Sequence, residues 1–218
     1  MIERGMIFNG EMVRAILDGR KTQTRRIMAP QPADDIERSA FPNPDAIGWK
    51  SSLKHKYGST TAHFCPFGAI GDRIWVRETF RVHSRATDVA TLVYKASERN
   101  SWTEQTHRVP VAVCNKPATP EKWTPSLHMP RWASRILLEI TDVRVERINS
   151  ISQEDAQAEG LELTGWRPTY SDPDSGGEVM TPYDNFAELW SSIYGDESWQ
   201  ANPWVWVIEF KRVEGGAA

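Results

Sequence analysis

The sequence predicts an α+β fold built on a β-barrel with short flanking helices and long loop insertions, and three observations predict it. Short β-rich segments recur along the whole chain, helical segments occur singly between them, and the strand-helix-strand rhythm of a doubly wound sheet is missing. With 218 residues the chain is long enough to bury one core, so a single domain over 1–218 is expected, with insertions at about 28–70, 97–130 and 162–184.

Taken in order, Glu11 to Asp18 place Met12, Val13, Ile16 and Leu17 on one helical face, with Asn9 as N-cap and Gly19 as the stop. The helix empties into a basic turn, Gly19 to Arg26. Prolines 30, 32, 42 and 44 then make 28–70 read as an irregular excursion. After the Gly71-Asp72 turn, Arg73 to Phe80 alternates as a strand, and Val89 to Ala96 gives another. The polar stretch from Ser97 to Pro125 reads as a second excursion holding one brief strand at Val109–Val113. Arg135 to Ile148 reads as a long or bent barrel strand. Ser152-Gln153-Glu154-Asp155 is a capping-box pattern that opens a surface helix ending at Gly160. A helix follows over Asn185–Tyr194, with Phe186, Leu189, Trp190 and Ile193 on one face, and Trp204 to Phe210 closes the chain as a strand.

Composition narrows the function classes. Mean hydropathy of −0.53 and the lack of any long apolar run exclude a membrane span. The N-terminus mixes acid and base and has no apolar core of a signal peptide, so a cytoplasmic location is expected. Cys65 and Cys114 lie far apart in unlike contexts, which makes neither a disulfide framework nor a metal spacing; no metal and no cofactor is expected. A net charge of −3 argues against coating long nucleic acid by bulk electrostatics, so any anion site must be local. Tryptophan, at 10 residues, is several-fold above ordinary usage, and it supplies stacking surface for bases as well as core volume.

Chemistry concentrates in Arg20, Lys21, Thr24, Arg25 and Arg26. On composition the segment fits first a solvated turn whose cations complement the helix dipole, and as the functional alternative an anion or nucleoside site. In a dry setting a lysine loses its proton and acts as a base, and a threonine hydroxyl beside it serves as nucleophile. A second group comprises His128, Arg131, Trp132 and Arg135, which suit base stacking and phosphate contact. Trp75 and Glu78 lie on a strand where one of them can face the barrel mouth, or can serve core packing and a surface ion pair.

Gly19-Arg20-Lys21-Thr22-Gln23-Thr24-Arg25-Arg26 resembles the GxKxxTxR signature of the ASCH family, a branch of the PUA-like superfamily. Gly71-Asp72 before a strand, Ala156 to Gly160 in a capped helix, and the terminal Val205 to Phe210 follow in the family's order. The resemblance covers about half of the chain. The segments Cys65 to Gly68 and Pro125 to Arg135 are similar to long ASCH proteins of phages and prophages. In small bacterial members that hydrolyse N4-acetylcytidine, a lysine, a threonine and a glutamate are taken as catalytic; by resemblance these roles fall on Lys21, Thr24 and Glu159. The family implies RNA or a modified nucleoside as partner and a hydrolase as the enzyme class. Three alternatives stay open: a non-catalytic RNA-binding module, a metal-independent ribonuclease using Lys21 and His128, and a protein-interaction role for exposed tryptophans.

Overall fold

The computed structural model describes residues 1–31, 37–39, 46–50, 61–161 and 181–213, with the backbone alone over 37–39, 46–50 and 61–63. In chain order the elements are β1 Glu3–Ile7, α1 Gly10–Leu17, β2 Gln23–Ile27, β3 Glu37–Ser39, β4 Ala46–Lys50, β5 Thr61–Phe64, β6 Arg73–Arg77, β7 Phe80–Arg85, β8 Val89–Tyr94, α2 Trp102–Gln105, β9 Thr106–Pro110, β10 Leu137–Arg147, α3 Gln153–Ala158, α4 Pro182–Tyr194, α5 Asp196–Gln200 and β11 Trp204–Arg212. The class is α+β, as expected. No helix among the described residues is long and apolar enough to cross a membrane.

The chain forms two compact units, each discontinuous in sequence. The first comprises 1–19, 71–140 and 210–218. Here β1 pairs in parallel with β6, and β6 pairs antiparallel with the start of β10. Gly5 lies opposite Trp75 in that register, and a Cβ on Gly5 would sit 2.5 Å from the Trp75 ring, so only glycine lets the indole cross the strand. Helix α1 starts where the Asn9 side chain accepts from the Met12 N–H at 2.8 Å, buries Val13, Ala15 and Ile16, and stops before Gly19 at φ 76°. A separate antiparallel sheet, β7-β8-β9, packs Phe80, Val82, Leu92, Tyr94 and Val109 against Cys114, Met129 and Ala133.

The second unit comprises 20–70 and 141–209. Strand β2 runs antiparallel to β11, with Thr24 opposite Ile208 and Arg25 opposite Val207. One face of this ladder carries Ile27, Val205 and Val207 against Ile148 and Ile151 ahead of α3, Ala156 of α3, and Phe186 and Trp190 of α4. Helix α4 opens with a complete capping box, in which Thr181 and Asp184 satisfy each other's backbone N–H groups, and with proline at its first turn. Strands β3, β4 and β5 form a small antiparallel sheet of their own.

Several expectations need correction. Residues 28–70 are not uniformly irregular, since β3, β4 and β5 lie within them. Arg73 to Phe80 is two strands, because Glu78 leaves the ladder: its N–H donates to the Met129 sulfur, and Phe80 then begins a new pairing with Thr124. The brief strand expected at Val109–Val113 lies at Thr106–Pro110, behind the one-turn helix α2. Arg20 to Arg26 is no simple turn, since all five residues from Gln23 to Ile27 are strand. Within the expected insertions, 32–36, 40–45, 51–60 and 162–180 lie outside the described residues.

Candidate functional site

The site lies wholly in the second unit, where the chain leaving Arg20 meets the end of α3. Ser152 caps that helix by accepting from the Asp155 N–H, and Gly160, at φ 92°, ends it. Glu159 is the last residue before that glycine, and its backbone forms an antiparallel bridge with Lys21 while Thr22 N–H donates to Ala158 O at 2.8 Å. Two residues 138 apart in sequence are thereby fixed side by side.

Lys21 Nζ donates to Glu159 Oε2 at 2.6 Å and to the Glu159 backbone carbonyl at 2.9 Å. The two side chains are 0% and 3% exposed, which makes this a buried ion pair rather than a surface one. Burial lowers the proton affinity of the Lys21 amine, and neighbouring Arg26 and Arg25 push the same way; the Glu159 carboxylate opposes them without prevailing. An amine in this position carries its proton less tightly than an ordinary lysine, which is the condition for work as a base.

Arg25 occupies the other oxygen of the same carboxylate, Nη1 to Glu159 Oε1 at 3.2 Å. Its Nη2 donates to Asp155 Oδ2 at 2.9 Å and to Glu146 Oε2 at 3.2 Å, and the guanidinium stands 5.9 Å from the centre of the Phe186 ring. Arg144 ties these acids together: it donates to Glu146 at 2.6 Å, to both oxygens of Asp155 at 3.4 Å, and to Glu209. Gln23 Nε2 donates to the Asp155 carbonyl at 2.7 Å. Charges alternate in sign from Lys21 to Glu209, and the side chains go from fully buried to 40% exposed along the way.

Strand alternation sorts the remaining members of the motif. Gln23 and Arg25 both reach α3, so they share one face of β2, and Thr24 projects from the other face, the one it shares with Ile208 and Trp206 of β11. Thr24 is buried, but the Lys21 ammonium bonds to Glu159, and the Glu159 carboxylate to Lys21 and Arg25. Arg20 donates to the Gly160 carbonyl at 2.8 Å, and half-buried Arg26 approaches the Arg25 carbonyl at 3.4 Å. The structure therefore joins Lys21, Arg25 and Glu159, and Arg20 beside them, while Thr24 faces away from Glu159.

The other expected residues lie in the first unit. Glu78 and Arg135 form a buried bidentate pair, Nε to Oε1 at 2.9 Å and Nη2 to Oε2 at 3.0 Å, with the Arg135 guanidinium 4.1 Å from the Tyr94 ring centre. Burial raises the Glu78 carboxyl even against the arginine. Trp132 packs edge-on against Phe80 at 6.3 Å, Arg131 pairs with Glu3 at 2.8 Å, and His128 is exposed on the 3₁₀ turn Ser126–His128. Trp75 is half-buried over Gly5, with Arg77 5.4 Å from its ring centre. Trp132 and Trp75 thus serve packing here, and Arg131 and Arg135 each hold a carboxylate.

Sequence reasoning missed Asp155, Glu146, Arg144 and Gln23. Asp155 carried a visible signal, being the acid of the capping-box pattern, but its carboxylate turns to Arg25 and Arg144 instead of the helix N-terminus. Arg144 and Glu146, alternating on β10, were legible only as a strand.

No protein-family model, curated protein or solved structure matches the chain.

Proposed function

We propose that this chain is an ASCH-type protein of PUA-like barrel architecture that handles RNA or nucleosides in the cytoplasm, and that its chemistry is hydrolysis of N4-acylated cytidine. The observation that carries the reading is the 2.6 Å contact between Lys21 and Glu159. Two of the three residues that the ASCH resemblance marks as catalytic meet from positions 138 apart in the chain, in a buried setting that loosens the lysine proton.

In this reading the neutral Lys21 amine takes a proton from a water whose oxygen adds to the acyl carbon. That proton crosses to Glu159, which delivers it to N4 as the C–N4 bond breaks. Cytidine and the carboxylic acid are the products. Water is the nucleophile favoured here, because Thr24 lies on the face of β2 turned away from Arg25 and Glu159.

Chromatography of N4-acetylcytidine incubated with the protein tests this directly. Cytidine is released by the native chain and is not released by Lys21→Met or Glu159→Gln variants that keep the native circular dichroism. A folded native protein that forms no cytidine removes the amidohydrolase reading.

One observation favours a second reading, RNA binding without chemistry. Trp102 is 52% exposed with its ring 5.1 Å from His83, and Arg81 stands 4.5 Å from the Trp123 ring centre, an arrangement of aromatic faces and cations that stacks unpaired bases. This version gives salt-dependent quenching of tryptophan fluorescence by single-stranded RNA, weakened in Trp102→Ala, with no product formed.

A further inference from the structure

The Lys21–Glu159 pair is not self-sufficient. A buried carboxylate paired with one ammonium is stable only while that ammonium keeps its charge, since losing the partner leaves an uncompensated charge in a dry site. A lysine that must give up its proton to act as a base therefore needs a second cation to take over its acid. Glu159 has one: its two oxygens are divided, Oε2 to Lys21 and Oε1 to Arg25. Arginine is the suitable choice because it stays protonated under all relevant conditions and its planar fork fixes direction.

Arg25 is itself held in place from the side away from Glu159. Asp155 and Glu146 both accept from its Nη2, and Arg144 grips those two acids in turn. The Arg144 guanidinium stays charged because, although partial burial works against it, its bonds to Glu146 and Glu209 raise its proton affinity. Gln23 adds a bond to the backbone beneath Asp155. This is support built around one guanidinium whose Nη1 donates to Glu159, and the position lies inside the motif segment without being one of its signature residues.

We propose that Arg25 is a positioning residue of the Lys21–Glu159 pair: it holds the Glu159 carboxylate in a fixed orientation and keeps it charge-compensated when Lys21 is neutral. The charged groups that face Lys21 are Glu159 from the end of α3 and Arg25 and Arg26 from β2. Of these, Glu159 holds the proton on and the two arginines drive it off. Removing the Arg25 charge shifts this balance toward a protonated lysine, so a variant without it has a base that is blocked until higher pH. The consequence for turnover rests on the amidohydrolase reading; the effect on Lys21 does not.

The experiment is a pH titration of the full chain labelled with 13Cε-lysine, followed by NMR, for the native protein, Arg25→Gln and Arg25→Lys. The Lys21 resonance is assigned with Lys21→Met. Arg25→Gln is expected to move the Lys21 midpoint upward by about one pH unit, the size of a neighbouring-charge effect in a partly dry site. Arg25→Lys, which keeps the charge, returns most of that shift. If hydrolysis of N4-acetylcytidine is present, the rising limb of its pH-rate profile moves upward in step in Arg25→Gln and recovers in Arg25→Lys.

An unchanged Lys21 midpoint in folded Arg25→Gln overturns the inference even where hydrolysis is seen. A shifted midpoint in a protein that releases no cytidine upholds it and removes only the amidohydrolase reading. Should Arg25→Gln not fold, the triple variant Arg25→Met, Asp155→Asn, Glu146→Gln removes the cation together with the acids that neutralise it, and the same criterion applies.

Discussion

Lys21 and Glu159 are joined three times, by an antiparallel backbone bridge, by an ammonium–carboxylate contact of 2.6 Å and by a bond from the same ammonium to the Glu159 carbonyl at 2.9 Å, so the backbone bridge holds the two side chains within reach of each other. The pair is at once a structural clamp and the candidate chemistry. Its two roles separate by pH. Burial puts the Lys21 proton affinity below the ordinary 10.5 in the folded chain, so between the folded value and 10.5 the unfolded chain binds more protons and stability rises with pH. Glu159→Gln removes the group that opposes this lowering. The variant is expected to be destabilised by about 3 kcal/mol at neutral pH or below, where an ammonium is carried without its carboxylate, and by less as pH climbs toward 10. Urea unfolding at a series of pH values measures this, and a deficit that grows with pH contradicts it.

Thr24 gives the clearest separation of mechanisms. Its face of β2 carries Ile208 and Trp206 as cross-strand neighbours, whereas the acid and its cations lie on the other face. Thr24→Val keeps volume and removes only the hydroxyl. If water is the nucleophile, turnover of N4-acetylcytidine in this variant stays within about threefold of native, while Lys21→Met or Glu159→Gln loses on the order of 10²-fold or more. Loss of turnover in Thr24→Val equal to that in Lys21→Met restores threonine to the nucleophile's role, and mass spectrometry of the stopped reaction then shows an acyl adduct on it.

The contrast between these residues explains what could be read in advance. Helices α1 and α4 were legible because each buries a periodic apolar stripe behind a recognisable N-cap, and strand β11 because it is a continuous apolar, β-branched and aromatic run, all local properties of the sequence. Strand β2 was not, because Gln23-Thr24-Arg25-Arg26 looks like solvated surface and becomes buried only through partners supplied by β10 and α3, more than 120 positions away. The expectation for Lys21 came from the basic motif and that for Glu159 from the separate Ala156–Gly160 segment, both through resemblance. Nothing local identifies Arg144 or Glu146 as their support, since an alternating charged strand is ordinarily a solvent-facing one. Strand β1 escaped for the same reason: Glu3-Arg4-Gly5 is polar, and its place beside β6 depends on Gly5 accommodating Trp75.

That accommodation is itself testable. A methyl on Gly5 meets the Trp75 ring at 2.5 Å, far inside van der Waals contact, and Arg77 Cδ at 3.0 Å. Gly5→Ala is therefore expected to destabilise the protein by about 2 kcal/mol through overpacking. Gly5→Ala combined with Trp75→Leu, which removes the obstructing ring, is expected to recover part of the loss. Thermal melts of the two single variants and the double variant decide it: strictly additive losses mean that the glycine is required for some reason other than the indole.

Glu78 and Arg135 provide an independent control on how this protein treats buried charge. The pair is bidentate and buried, Ser97 Oγ accepts from Arg135 at 2.9 Å, and the Tyr94 ring covers the guanidinium. Burial nevertheless raises the Glu78 carboxyl above its ordinary 4.5, so the folded chain binds more protons than the unfolded one between 4.5 and the folded value, and this group's contribution to stability falls as pH rises through that window. Arg135→Met leaves the carboxylate alone in a dry setting and is expected to cost about 3 to 5 kcal/mol at neutral pH, with much of that recovered on acidification, which neutralises the stranded acid. Pairing it with Glu78→Leu removes both charges and is expected to return the protein to within about 1 to 2 kcal/mol of native, because desolvation of an ion pair offsets most of its attraction. A double variant as unstable as the sum of its singles would show that the two residues are required separately, Arg135 through its bond to Ser97 and its place over Tyr94, and not as a charge pair.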